Sequence, residues 1–205
     1  VAYSNDTKQY ERYYLDDNGN PVYGEYRINR RSSYFDDKFG TQIIDRFAPN
    51  GHFYDQDGVF VNLGTNRFVE IKGKWYYFNT NGIMATGWIS LNGEWYYLTS
   101  NGDMVTGAQT INNKEYYFTS EGVMVRGWHK ENDKWKYYSP KKMSVYGRTF
   151  VEGEKVTGWL PLGNRWYYIA NDDYMVTGYY KVGNSTYYFD ENGLMKTGWF
   201  KINGE

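Results

Sequence analysis

A motif that returns every twenty residues constrains this chain more than any other feature. Gly87, Gly107 and Gly127 stand twenty apart, and Gly147 continues the step. Gly158, Gly178 and Gly198 follow, the last two again twenty apart. Met84, Met104 and Met124 keep the period, as do Met175 and Met195, while Met143 falls one residue early. Trp75-Tyr76-Tyr77 returns as Trp95-Tyr96-Tyr97 and Trp166-Tyr167-Tyr168. Weaker copies are Glu115-Tyr116-Tyr117, Lys136-Tyr137-Tyr138 and Thr186-Tyr187-Tyr188. Trp88, Trp128, Trp159 and Trp199 each follow a glycine. A fixed period of this length means that each copy is one supersecondary unit, and that neighbouring copies supply the core a single unit lacks.

One unit reads as Gly-Trp, a short polar step, a turn, the aromatic triplet, a polar turn ending in Gly, and Met-x-Thr-Gly. The triplet is a short run of strand formers with polar punctuation on both sides, which predicts a strand. Asn79-Thr80-Asn81-Gly82, Thr99-Ser100-Asn101-Gly102 and Asp190-Glu191-Asn192-Gly193 carry turn chemistry, and Asn92-Gly93 is the tight turn between two strands. Asn and Gly accept the positive φ that such turns need. Each twenty residues is therefore one β-hairpin plus a connector. A lone hairpin is marginal in water. Stacking copies along an axis lets each cover the next. The fold class that follows is all-β: a β-solenoid of about nine or ten stacked hairpins. Residues 148–158 read as a truncated unit without a triplet. Residues 1–64 read as divergent, Trp-free repeats of similar length, and 65–205 as the regular ones, in one continuous solenoid. Ending at Gly204-Glu205 in mid-pattern, the chain reads as a piece of a longer protein.

Composition explains what fills the junctions. Aromatic residues make up 21% of the chain, while Leu, Ile, Val and Phe together reach only about a fifth, near the level of chains that cannot build a core. Large rings with polar tips take over that role. There is no cysteine, so neither disulfides nor thiolate metal sites arise. His52 and His129 are the two histidines and lie far apart in sequence, which argues against a histidine metal centre. A net charge of −1 gives no footprint for nucleic acid. No apolar run approaches the ~18 residues of a membrane span. Asp16/Asp17, Asp36/Asp37 and Asp172/Asp173 are adjacent pairs at turns, not two carboxylates facing across a bond. Asp55-Gln56-Asp57-Gly58 is similar to part of a calcium loop but has Asn66 where the twelfth-position acid belongs, so no metal site is expected. No catalytic residues, cofactor or specific oligomer are predicted.

The Gly-Trp and Trp-Tyr-Tyr units from 65 to 199 resemble the cell-wall-binding, or choline-binding, repeat superfamily of Gram-positive surface proteins. That superfamily includes the glucan-binding repeats of glucansucrases and of streptococcal glucan-binding proteins. Gly24-Glu25-Tyr26-Arg27, Tyr34-Phe35-Asp36, Arg46-Phe47-Ala48-Pro49-Asn50-Gly51 and Phe53-Tyr54-Asp55-Gln56-Asp57-Gly58-Val59 are similar to the longer repeats of that glucan-binding branch. The resemblance implies a secreted or wall-associated carbohydrate-binding solenoid, with any catalysis lying outside this chain.

In such a stack, sites lie between successive units. Trp88/Trp95, Trp128/Trp135 and Trp159/Trp166 are each seven apart across a turn, which makes them candidate neighbours across a hairpin. The rings are also the obvious packing elements. A choline head group needs about three aromatic faces around its cation. A glucan needs flat rings plus amides or amines for its hydroxyls. Ala108 and Tyr179 replace the first Trp, and Glu115 and Thr186 the second, while Gln109 and Lys114 stand beside Tyr117. That mixed lining favours α-glucan. The predicted ligand-binding set is Trp75, Tyr77, Met84, Trp88, Trp95, Tyr97, Met104, Gln109, Lys114, Tyr117, Trp128, Trp135, Trp159, Trp166, Tyr168, Tyr180 and Tyr188. The alternative is choline of teichoic acid, held in cages such as Trp88, Trp95, Tyr117 and Met104. A spacer without a sugar site is the third reading.

Overall fold

The computed structural model describes residues 2–4 and 9–198, with side chains from residue 12 onward; Trp199 and the residues after it lie outside the described residues. Every regular element among the described residues is a strand, and the strands fall into ten small sheets. Nine are two-stranded, and one, Arg46–Phe47 with Phe53–Tyr54 and Phe60–Val61, is three-stranded. The chain divides into two compact units: Val1–Ile89 with Leu98–Met104, and Ser90–Tyr97 with Val105–Glu205.

Local chemistry explains each hairpin. Asn112 and Asn113 both have positive φ (51 and 61°), as do Asn132 and Asp133 (47 and 64°). Two positive values in a two-residue loop define the tight turn whose twist matches the flanking strands. The wider turns that begin at Asn79, Thr99, Thr119 and Asp190 are closed by a side chain acting as backbone. Asn79 Oδ1 accepts from the Asn81 and Ile83 N–H groups, and Thr99 Oγ1 from those of Asn101 and Asp103. Asp55 Oδ1, in the loop similar to a calcium loop, does the same for Asp57 and Val59.

The residue just after the triplet is the core. Phe78, Phe118, Tyr138, Ile169 and Phe189 are all essentially inaccessible, and burying each side chain stabilises the fold by about 2–3 kcal/mol. Each also bridges to the connector that follows: Phe78 to Met84, Phe118 to Met124, Ile169 to Met175, Phe189 to Met195. The connector then reaches back one repeat. In the first unit the Met104 N–H donates to the Trp75 carbonyl. In the second, Met124 donates to Trp95, Met175 to Trp135 and Met195 to Trp166. These connectors are thus held at the same two points, one in their own hairpin and one in the repeat before.

Three readings of the period need correction. Pairing Trp128 with Tyr137, and Trp159 with Tyr168, aligns Trp135-Lys136-Tyr137 with the other triplets. Lys136-Tyr137-Tyr138 is thus one residue out of register, and Tyr138 is the core residue. Met143 and Gly147 do not continue the period. Met143–Val145 and Arg148–Phe150 form an extra hairpin with Gly147 in its turn. Lys155 occupies the methionine place: it bridges to Tyr138, and its N–H donates to the Glu115 carbonyl. Nor is 148–158 a truncated unit. Its first part completes the extra hairpin, and its last part is the ordinary connector ending at Thr157-Gly158. The period counted along the sequence cannot distinguish an insertion in a turn from a new repeat; the bond ladder can.

Candidate functional site

The second unit contains two aromatic boxes built to one plan. Trp128 and Trp135 lie on the same hairpin face, diagonal across the pairing, because Trp128 opposes Tyr137 and Lys130 opposes Trp135. Their rings are 6.4 Å apart and nearly perpendicular at 81°. Tyr167, from the next triplet, meets Trp128 edge-on at 5.2 Å. Met175, from the next connector, completes a hollow of about 250 Å³ together with Glu191 and Asn192. The second box repeats this: Trp159 and Trp166 at 6.0 Å and 84°, with Tyr187 at 4.8 Å from Trp159 and Met195 packed in the same cluster.

The first box opens into a longer polar groove of about 560 Å³ that shares Trp135, Met175 and Glu191 with it. Tyr174 and Tyr180 supply further rings, and Asn171, Asp172 and Thr177 supply hydroxyl-bonding groups. Lys134 Nζ lies 4.6 Å above the Tyr174 ring. Trp135 keeps 41% of its surface exposed, so one of its faces is open to a ligand. A smaller counterpart exists in the first unit. Phe47, Tyr76 and Met84, with Lys74, Asn101 and Asp103, line a groove of about 420 Å³. Phe47 packs on Tyr76 at 4.8 Å, and Tyr76 OH donates to Asp103 at 3.0 Å. Burial, reinforced by that bond to a carboxylate, pushes the Tyr76 hydroxyl up to about 12. Burial works to raise Asp103, but hydrogen bonds from Lys74 and Tyr76 outweigh it and hold the carboxyl below its usual range.

The repeat preceding the first box is built differently. Ala108 and Glu115 stand in the two Trp places, Lys136 in the Tyr167 place and Lys155 in the methionine place. Lys155 is only 6% exposed, and its Nζ lies 2.5 Å from Glu115 and 2.6 Å from Asp173. Burial works to lower this ammonium, yet its bonds to Asp173 and Glu115 win and hold it above the ordinary lysine value. Lys136 pairs with Glu131 at 2.6 Å, and Lys114 with the buried Glu154 at 2.6 Å. His129 stacks on Tyr117 at 4.2 Å; its Nε2 and Glu131 Oε1 are buried 3.8 Å apart without hydrogen-bond partners.

The predicted site residues therefore separate. Trp128, Trp135, Trp159 and Trp166 come together in the boxes, Tyr180 lines the long groove, and Met84 the groove of the first unit. Tyr168 lies between Trp159 and Tyr180, and Tyr188 packs on Tyr179. Tyr77 is buried against Phe68 as core. Trp75 is exposed, and its carbonyl holds the Met104 stitch. Trp88 belongs to the first unit, Trp95 and Tyr97 to the second, and all three are half-buried. Gln109 turns back onto the Thr106 carbonyl, and Lys114 is committed to Glu154.

Sequence reasoning missed Tyr167, Tyr187, Met175 and Met195. The expected cage combined two Trp residues with the third triplet residue of the next repeat and with the unit's own methionine. The boxes instead use the middle triplet residue and the methionine of the next repeat. The strict alternation of a strand carries the usable signal: a one-place change reverses the face. It selects Tyr167 only once the face that Trp128 covers is known.

The sequence pattern of the choline-binding repeat family matches residues 65–107, 105–145 and 176–205. The stretch between the last two matches, 146–175, contains the turn and second strand of the extra hairpin. Over 77 residues the chain is 35% identical to glucosyltransferase-S of Streptococcus downei, a match spanning 37% of this chain and 6% of that protein. Among solved structures, choline binding protein F of Streptococcus pneumoniae aligns with a TM-score of 0.59 and 26% identity, covering 95% of this chain and 86% of that one. It has also been crystallised in complex with ipratropium by soaking. CbpJ of Streptococcus pneumoniae aligns at 0.53 and 26%, covering 99% and 89%.

Proposed function

This chain belongs to the choline-binding repeat family, a family of binding modules, and on that premise we propose that it binds α-glucan at its repeat junctions as the non-catalytic part of a glucansucrase or of a wall-associated glucan-binding protein. The groove running from Trp135 to Tyr180 carries this reading. A glucosyl unit has an apolar face, which a half-exposed indole covers, and a rim of hydroxyls, which Asn171, Asp172, Thr177 and Glu191 can bond. The glucosyltransferase-S relative supports the same class of ligand. Several modest sites on one chain gain affinity for a polymer through effective concentration.

A second reading has its own observation. The three rings of Trp128, Trp135 and Tyr167 surround a hollow small enough for a trimethylammonium head, with the Glu191 carboxylate beside it, an arrangement that holds quaternary cations by cation–π attraction. On this reading the module anchors its protein to choline of teichoic acid. Affinity electrophoresis in dextran gels separates the two. Retarded mobility supports glucan binding, and unaltered mobility overturns it. Release from a DEAE matrix by free choline, without dextran retardation, establishes the anchor instead.

A further inference from the structure

The extra hairpin is not needed by the repeat it interrupts. An ordinary turn is closed by the Thr99 N–H to the Asp103 carbonyl and the Gly102 N–H to the Thr99 carbonyl. Here the same two bonds run from Ser139 to Glu154 and from Gly153 to Ser139. The ladder is intact on both sides, and eleven additional residues leave and return between its rungs. Yet the insert is firmly held. Phe150 is fully buried with Tyr137, Val156, Leu160 and Ile169, and Met143 packs on the same cluster. Arg148 donates to Thr157 Oγ1 at 2.8 Å and lies 4.5 Å over the Phe150 ring. Ser144 and Thr149 share a hydroxyl bond across the strands at 2.9 Å.

What this anchored hairpin presents is Tyr146. The residue occupies the first central turn position with φ 47°, followed by Gly147 at 80°. Positive φ is costly for a bulky side chain and is favoured by Asn or Gly; among the described residues the other two-residue turns place Asn29, Lys72, Asn92, Asn112, Asn132, Gly163 and Gly183 there. Nor does burial offset the strain, because Tyr146 is 78% exposed. Its ring stands 6.0 Å from that of Trp166, tilted by only 32°, whereas Trp159 meets Trp166 nearly edge-on. Strain kept at an exposed aromatic points to a contact made with something else.

We propose that Tyr146 and Trp166 form an added saccharide platform, which stacks the apolar face of a pyranose ring and extends the Trp159/Trp166/Tyr187 box along a glucan chain. This rests on the glucan reading and names a specificity residue for it. An ammonium enclosed by the box has no use for a ring outside it, whereas a polymer does.

The test is Y146N in the full chain, because Asn suits this turn. The expected result is a dissociation constant from dextran affinity gels weakened about three- to tenfold, the range a single ring contact supplies. The thermal midpoint stays the same or rises, and elution from DEAE by choline is unchanged. Y146W restores retention. A parent chain that dextran does not retard overturns the glucan reading and this platform with it. A retarded parent with an equally retarded Y146N overturns the platform alone. A lowered midpoint, or altered choline elution, also overturns it by making Tyr146 a packing element or a wall of the box.

Discussion

The junction after the Gly127–Tyr138 hairpin and the one before it use the same backbone for opposite ends. Both are stitched by a connector N–H to a triplet carbonyl, Met175 to Trp135 in one and Lys155 to Glu115 in the other. In the first, two Trp, one Tyr and one Met leave a hollow. In the second, all four places are changed together, and a buried lysine between two carboxylates fills the position. The difference teaches that the stack does not require the Trp residues. A junction can be held by rings that leave room for a ligand or by charges that close on each other.

Stranding the lysine should break the charged junction most severely. In E115Q/D173N the Lys155 ammonium remains buried without a counter-charge, and removing the partners of a buried charge costs about 3–5 kcal/mol. Urea unfolding should show a loss of about 3 kcal/mol; a loss below about 1 kcal/mol would mean that water already reaches Lys155. W135A should break the other junction differently. It removes one wall of the box, so ligand release, followed by calorimetry with choline and by dextran gels, should accelerate to give about tenfold weaker binding. The β signal in circular dichroism should persist, because Trp135 is partly exposed and stack stability is spread over neighbours. E115A, by contrast, should leave both kinds of binding at the parent value.

Two smaller effects sharpen the comparison. Met175 lies over Gly193, where an added Cβ would come within 2.3 Å of its sulfur, and Gly193 has φ +74°. G193A should therefore destabilise by about 1–2 kcal/mol and disturb the box through Met175; unchanged stability would show that the sulfur moves aside freely. K155M places the residue of the other junctions here. Its two partners are partly exposed, so the loss should be about 1 kcal/mol at neutral pH. Lys155 is held above the ordinary value of 10.5, so its stabilising contribution is complete below pH 10.5 and fades as pH rises through its folded value. The gap between parent and K155M should narrow above pH 10.5; a constant gap from pH 8 to 12 would contradict the ion-pair account.

Much of this architecture is written locally. The turn pairs Asn112-Asn113 and Asn132-Asp133 specify hairpins by themselves, because few side chains tolerate their backbone. The triplets are strands because rings and β-branched residues fit a pleated, half-buried surface. The seven-residue spacing across a turn placed Trp128 beside Trp135 and Trp159 beside Trp166, and the rings are neighbours. Lys114 and Gln109 could not be judged the same way, since Glu154 and the Thr106 carbonyl that occupy them are identified only by proximity.

Sequence alone therefore determined the repeating unit, its all-β class and the tryptophan pairs Trp128/Trp135 and Trp159/Trp166, since chirality and strand alternation act within a few residues. Tertiary structure alone decided which ring of the next repeat completes a box, that Lys155 stands where methionine belongs, and that Met143 and Gly147 lie on an insert. Those outcomes depend on the offset between stacked hairpins. That offset is set by the buried side chains Tyr138 and Ile169 and by single backbone bonds spanning 29 or 40 residues, a separation at which periodicity no longer fixes who meets whom.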